Sequence, residues 1–528
     1  MPSPSESAPP NKWLVTLSIS LGTLMGAVDA SIVNVALPQI QGSLGATVQE
    51  ITWIATGYSI ALVILMPLTA FLGRQFGQKR LYLSCLGLFM VGSALCGTAQ
   101  TLTQMIIYRI IQGLGAGALQ PTEQAILRRT FPREEQGMAM AVFGIIIMLG
   151  PAIGPTIGGV IVDQYHWSWI FFINLPLGLA GFFMVSKVLR EDPETFAKNQ
   201  ERAAVERRHL DWAGIALLCA ALGCGQYVLE EGQREGWFES TLICGLTFAA
   251  VSLLALFIVR ELTATAPVVQ LRLFRDPTFA SGVMVNGLTM AMLLANVFLQ
   301  PLFMQEMLGF TTFQSGLALL PRSIVMMVAM GIVGAVYNRV PARLLIGSGV
   351  IFFVVSAYAM GQFNMATGVE QIVIAVSLQG IGLALVVVPL EAVALSNVPK
   401  HQMTDATGLN NLITELGGAI GLAVFATVFS RHIPMAKATV AAHVHIANAY
   451  AEPRLHAYAE AIGGGARAAG LRALASVVTR EATVLAYDYV FVLGGVVFVL
   501  MVLPLVFCLR PGASTHGESG DGAEMGET

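Results

Sequence analysis

Fourteen separate runs of about twenty mostly apolar residues constrain this chain more than any other feature. They fall at 13–37, 51–72, 81–99, 104–126, 138–162, 169–189, 211–229, 240–260, 278–299, 314–337, 344–363, 370–394, 405–429 and 487–509. In lipid every backbone N–H and C=O must be satisfied within the protein, so runs of this length spell spanning helices. The composition agrees: 55% of residues are hydrophobic and 12% charged, where a soluble chain carries roughly 25% charged residues. The expected class is an all-α polytopic membrane protein. A net charge of -3 gives no footprint for nucleic acid. The first run exceeds the roughly 7–15 residues of a signal-peptide core, so it reads as an uncleaved first helix. The six cysteines lie scattered through apolar segments with no zinc or disulfide spacing, and read as small core residues.

Lys and Arg set the expected orientation. With the N-terminus inside, the cytoplasmic segments hold 20 of the 29 basic residues, and the short external loops hold only Arg234. The chain then divides into a disordered cytoplasmic N-terminus (1–12), a first six-helix bundle (13–189) and a charged cytoplasmic linker (190–210). Two extra helices (211–260), a second six-helix bundle (261–509) and a disordered cytoplasmic tail (510–528) follow. The second bundle includes an Ala-rich external segment, 430–486, of helical character, broken by Pro453 and Gly463–Gly465. It reads as a surface hairpin or as a docking surface for an external partner. Its His443/His445 spacing does not put both rings on one helical face, which argues against a metal site. Ala70–Arg80 and Gly334–Arg343 form a weak echo: each is a short basic loop after a small-residue helix end, as parallel transporter repeats would give.

The stretch Gly144–Gly159, GIIIMLGPAIGPTIGG, is dense in glycine and proline inside a span. Gly150, Gly154 and Gly158 recur every four residues on one face, which admits close approach of another backbone. Pro151 and Pro155 put a bend on an adjacent face, and Gly159 extends the motif. A bent helix packed hard against a partner is expected, with generic small-residue packing as the alternative.

Ionisable residues inside spans are costly and usually functional. Asp29 lies about 12 Å below the outer end of the first span and Arg109 about 8 Å below that of the fourth, so the two can pair. Such a pair is either a coupling device for protons or a static ion pair. Glu415 lies about 15 Å into the thirteenth span, a candidate for protonation or substrate contact, with Asn411 on its face. Glu123 and Glu391 lie near the inner ends of their spans, within reach of water or basic neighbours. Arg322, a third of the way down the tenth span, suits an anionic substrate group or a carboxylate partner. Gln112, Gln120, Asn286, Asn296, Gln300 and Gln379 add polar lining or helix–helix contacts. No ATP-binding P-loop, metalloprotease or serine-hydrolase motif is present, so neither ATP-driven pumping nor an enzyme is expected.

Asp29-Ala-Ser-Ile-Val-Asn34-Val-Ala-Leu-Pro38, Arg109-Ile-Ile-Gln112-Gly113-Leu-Gly115, Gly144–Gly159 and His166–Pro176 together resemble the major facilitator superfamily, specifically the 14-span drug:proton antiporters of the EmrB/QacA type. The resemblance covers nearly the whole chain. It implies the major facilitator fold, two six-helix bundles plus two extra central helices. It further implies proton-coupled export of lipophilic or amphipathic molecules across the bacterial inner membrane by alternating access, with no cofactor. Arg109 is then tied to proton transfer with Asp29 and Glu415, and Asn34, Gln112, Gln120, Glu123, Arg322, Gln379, Glu391 and Asn411 become candidate substrate contacts. Gly150–Gly159 becomes the antiporter motif. Arg74, Gly77, Lys79 and Arg80 become a cytoplasmic gate loop. The segment 430–486 resembles the EmrB branch, implying a periplasmic adaptor protein and an outer-membrane channel as partners. The chain departs from the family pattern at Arg74, where an Asp is usual, so the gate must be locked differently. Glu123, Glu391, Glu415 and Arg322 are also atypical. A metabolite transporter on the same fold, or a transport-dead scaffold, stays open at this point.

Overall fold

The structure is a computed structural model that describes residues 11–132, 135–189, 211–264, 267–399, 402–442, 453, 457 and 467–508. Among them the regular elements are all helical. In chain order they are α1 (Lys12–Leu44), α2 (Val48–Ile51), α3 (Trp53–Leu65), α4 (Thr69–Phe76), α5 (Gln78–Gly97), α6 (Leu102–Gly117), α7 (Leu119–Thr130), α8 (Gln136–Gln164), α9 (Trp169–Phe172) and α10 (Asn174–Val188). There follow α11 (Trp212–Glu231), α12 (Thr241–Thr263), α13 (Pro277–Glu306), α14 (Thr312–Val336), α15 (Ala342–Met360), α16 (Val369–Ala394), α17 (Met403–Ala442) and α18 (Arg467–Cys508).

Local chemistry explains the boundaries. Asn11 caps α1 by accepting from Trp13 N at 3.0 Å, so the first helix begins within the stretch 1–12. Asp276 caps α13, with Pro277 at its first position. Pro67 separates α3 from α4, which are bent by 59°. Pro121 cannot donate to the Gly117 carbonyl, and the fourth run divides there, at Ala118, into α6 and α7. Gly77 sits between α4 and α5 at φ 85°, a conformation that favours glycine.

Each of the fourteen apolar runs is a helix or an interrupted helix. Among the described residues, eleven helices are long and apolar enough to cross a membrane by length and composition, or twelve with the bent pair α3–α4 taken as one. The other two runs are the split α6–α7 pair and α8, whose apolar stretch counts only as the shorter Gln136–Gly150.

Helices α1 to α10 pack around two sets of buried residues, one including Ile19 and Phe89 and one including Phe171, and α13 to α18 around another, including Phe303, Phe353 and Phe498. Helix α8 packs along α1 on one side and α14 on the other, joining the two groups. Helices α11 and α12 pair with each other, and α11 lies against α3 and α17. Arg260 Nε donates to both Asp211 oxygens at 2.7 Å, tying the foot of α12 to the cap of α11.

Helix α17 continues unbroken to Ala442 and α18 starts at Arg467, so both ends of the segment 430–486 are extensions of its flanking helices. His432 stacks on Tyr489 with centroids 4.0 Å apart. His443, His445, His456, Gly463–Gly465, the linker 190–210 and the tail 510–528 lie outside the described residues.

Candidate functional site

Asp29 and Arg109 meet at the centre of the first helix group. Arg109 Nη1 donates to Asp29 Oδ2 at 2.7 Å and to Gln112 Oε1 at 2.6 Å, and its Nε donates to the Ile54 carbonyl at 3.3 Å. The other carboxylate oxygen, Oδ1, accepts from Gln112 Nε2 and Asn174 Nδ2, both at 2.9 Å. The Tyr58 ring lies 4.1 Å from the guanidinium carbon. Asp29 is 0% exposed and Arg109 2%. Breaking such a buried pair by removing one partner costs about 3–5 kcal/mol. One turn of helix α6 makes this possible: Gln112 follows Arg109 by three residues and shares its face.

A cavity of about 210 Å³ opens beside this pair, lined by Asn34, Tyr58, Ser59, Arg109, Gln120 and Glu415 among others. Five of those residues come from the first group, and Glu415 comes across from α17. Glu415 makes no hydrogen bond or ion pair among the described residues, so the cavity carries one carboxylate without a protein partner. Along the α1 face of the cavity Gly22 and Thr23 are buried, while Ala30 and Asn34 are exposed. The cavity therefore widens away from Lys12.

The opposite end, which carries Lys12, Arg74 and Arg129, is closed by bonds between the two helix groups. Arg74 Nη1 donates to both oxygens of Asp405 at 2.8 Å, across 331 residues of chain. Gln78 Nε2 donates to Thr404 Oγ1 at 2.6 Å, and Thr407 Oγ1 to the Pro121 carbonyl at 3.1 Å. Deeper in, the Glu391 carboxylate accepts from Gln124 at 2.6 Å, Asn286 at 3.2 Å and Asn410 at 3.3 Å, while Arg128 donates to the Glu391 carbonyl. Asn411 Nδ2 reaches Gln124 Oε1 at 3.0 Å. The charge that the loop motif lacks at Arg74 is thus supplied from the other group, by Asp405. Lys79 Nζ bonds the Ser186 carbonyl at 2.7 Å, and Arg80 is exposed.

The structure distributes the expected substrate contacts over three places. Gln112 is 0% exposed and belongs to the ion-pair network. Glu123, also 0% exposed, reaches neither water nor a basic neighbour: Ser20 donates to it at 2.9 Å and Thr23 donates to its other oxygen. Glu391 and Asn411 are tied into the closed end rather than the cavity. Arg322 and Gln379 sit in the second group, away from the residues lining the cavity. Asn34 and Gln120 do line it. Asp405, Gln124 and Tyr58 were not singled out by sequence; an isolated acid facing an all-basic loop is the one signal Asp405 offered.

The glycine motif packs against α1. A Cβ at Gly150 would run into the Ala27 backbone, one at Gly154 into Ser31 Oγ, and one at Gly158 would come 2.8 Å from Ile32. Ser31 Oγ donates to the Gly150 carbonyl at 2.8 Å. Gly159 has nothing within 4 Å and takes no part in the seam. The helix runs from Gln136 to Gln164 without a break; the Pro151 and Pro155 side chains lie outside the described residues.

Known proteins resemble this chain over most of its length. The chain is 31% identical over 498 residues to the fatty acid resistance protein FarB of Neisseria gonorrhoeae, covering 94% of this chain and 96% of that one. It is 31% identical over 514 residues to the multidrug export protein EmrB of Escherichia coli, covering 96% and 97%. Among solved structures it is similar to the human organic anion transporter MFSD10, with a TM-score of 0.60, 15% identity and coverage of 93% and 100%. It is also similar to the proton:xylose symporter XylE, with a TM-score of 0.58, 14% identity and coverage of 92% and 94%. Both of those likenesses are of fold alone. Residues 19–422 match the family model described as Major Facilitator Superfamily, and with two helix groups, a cavity between them and one closed end, the chain belongs to that superfamily.

Proposed function

We propose that this protein exports lipophilic or amphipathic small molecules across the bacterial inner membrane in exchange for protons. The observation that carries the reading is the buried Asp29–Arg109 pair standing at the wall of a cavity that also holds the unpaired Glu415. Protonating Asp29 removes the charge that holds Arg109, which then needs another partner. That gives proton binding a direct route to the geometry of the cavity wall. The relatives named for multidrug export and fatty acid resistance support efflux as the direction. In the orientation set by the basic loops, both termini are cytoplasmic, the closed end faces the cytoplasm and the cavity opens outward. Alternating access then consists of breaking the Arg74–Asp405 and Glu391 contacts while the opposite end closes. The segment 430–486, into which α17 and α18 extend, is the docking surface for a periplasmic adaptor leading to an outer-membrane channel.

The test is transport in proteoliposomes under an imposed pH gradient, using acidic, neutral and cationic lipophiles. Asp29→Asn and Arg109→Ala are expected to abolish gradient-driven export while leaving insertion and cavity binding measurable. Wild-type rates in either variant would refute the coupling.

A further inference from the structure

Arg322 is carried by α14 in the second helix group, faces Gln300 on α13, and is 7% exposed. Its guanidinium keeps its charge throughout the accessible pH range, so burial must be offset by partners. Among the described residues it has one: Nη1 donates to Gln300 Oε1 at 3.0 Å. Among the described residues no carboxylate stands within salt-bridge distance, in contrast to Arg109, which holds Asp29 at 2.7 Å.

The donor count points the same way. Arg322 can only donate, so Gln300 must present its oxygen to it, and the Gln300 amide nitrogen must face outward. That nitrogen donates to Gln379 Oε1 at 3.0 Å and to Asn296 Oδ1 at 3.3 Å. The Gln379 oxygen being taken, its own NH₂ is left as a donor. Among the described residues, Arg322 Nε and Nη2 and Gln379 Nε2 have no hydrogen-bond acceptor, and none of them is sealed from solvent. Each side-chain oxygen of the cluster already accepts a hydrogen bond, and the groups left without any partner are donors around a fixed positive charge. Leu299, Phe303, Met326 and Val376 are buried in the adjoining core.

We propose that Arg322, Gln300 and Gln379 form an anion site that receives the carboxylate or sulfonate head of an amphipathic substrate. A carboxylate supplies the two oxygens, with four lone-pair directions, that the guanidinium fork and the Gln379 amide lack. The inference rests on the export reading above and adds the charge of the substrate. A free inorganic anion offers the same chemistry, and the experiment separates the two.

The experiment reads binding rather than transport, so its outcome does not depend on whether the protein exports. Nanodisc-reconstituted protein is titrated with radiolabelled octanoate, octanol and octylamine at constant ionic strength, and its thermal midpoint is followed with octanoate and with chloride. Octanoate is expected to bind saturably and raise the midpoint in wild type. Arg322→Gln should weaken octanoate binding at least tenfold, leave octanol unchanged and lose the octanoate-dependent shift, with Arg322→Lys intermediate. Arg322→Gln should fold at least as well as wild type without ligand, since it deletes a buried unpaired charge. Equal octanoate binding by wild type and Arg322→Gln would overturn the proposal. So would stabilisation by chloride that octanoate cannot displace, which would assign the site to an inorganic ion. Gradient-driven export that fails while octanoate binding follows this pattern would refute the export reading and leave the site standing.

Discussion

Replacing Asp405 with Asn tests what holds the basic end shut. Arg74 donates to both Asp405 oxygens at 2.8 Å, and the side chains are 18% and 5% exposed. Hydrogen bonds to a charged group are each worth about 1.5–3 kcal/mol when largely shielded from water. Asn keeps one acceptor oxygen but removes the charge and turns an NH₂ toward the guanidinium. The neighbouring Gln78–Thr404 and Thr407–Pro121 bonds survive. A net loss of about 2 kcal/mol from the closed end follows, a shift of roughly 30-fold in the ratio of closed to open. Phe76 and Asn397 are exposed positions on the two helix groups at this end, suited to spin labels on a cysteine-free background. Pulsed dipolar spectroscopy in nanodiscs should show the long-distance population growing in Asp405→Asn. The charge-reversed pair Arg74→Asp with Asp405→Arg should restore the short distance. An unchanged distance distribution in Asp405→Asn would refute the assignment of this pair as the lock.

Three further outcomes are expected. Gly154→Leu should disrupt the α1–α8 seam and abolish coupled transport, while Gly159→Leu, with open space around it, should transport at the wild-type rate; normal transport by Gly154→Leu would reduce the motif to packing without function. Glu415→Gln removes the unpaired carboxylate of the cavity and should lower the protons exchanged per substrate by one, read from the substrate gradient that balances a fixed pH gradient. Deleting residues 443–466 and joining α17 to α18 by a short flexible linker should leave proteoliposome transport intact and abolish resistance in cells; equal loss of both would make the segment structural.

The helices were legible because lipid permits so few alternatives: a run of twenty apolar residues can only be a helix, and its ends follow from length. The Asp29–Arg109 meeting was legible because depth along two antiparallel helices can be counted at about 1.5 Å per residue. Rotation about each helix axis was the missing variable. Gln112 and Gln120 lie on one span, yet the break at Ala118 turns the second toward the cavity and leaves the first on Asp29. Glu123 faces Ser20 and Thr23 because α7 runs against α1, which no spacing within either helix reveals. The closed end was illegible for a different reason. Arg74–Asp405 and Asn411–Gln124 join helices 331 and 287 residues apart, and they exist only in the conformation in which the two groups meet.

Helix α6 carries glycines on two sides. A Cβ at Gly113 or Gly117 would come within 2.5 Å of the Tyr58 or Leu62 carbonyl on α3, and one at Gly115 within 2.5 Å of Phe89 N on α5. At these three positions the helix bearing Arg109 is therefore packed backbone to backbone against two neighbours. Mechanically, the first group is stiff where its charge resides. A compliant bundle would absorb the loss of an ion pair as a small local slip and transmit nothing. A stiff one passes it to its rim, where α8 bears on α14 through the end of Met330 against Gly144 and through the close approach of Gly334 to Gly137 and Ala141. The glycines of α6 thus make the first group rigid along the helix that carries its buried charge.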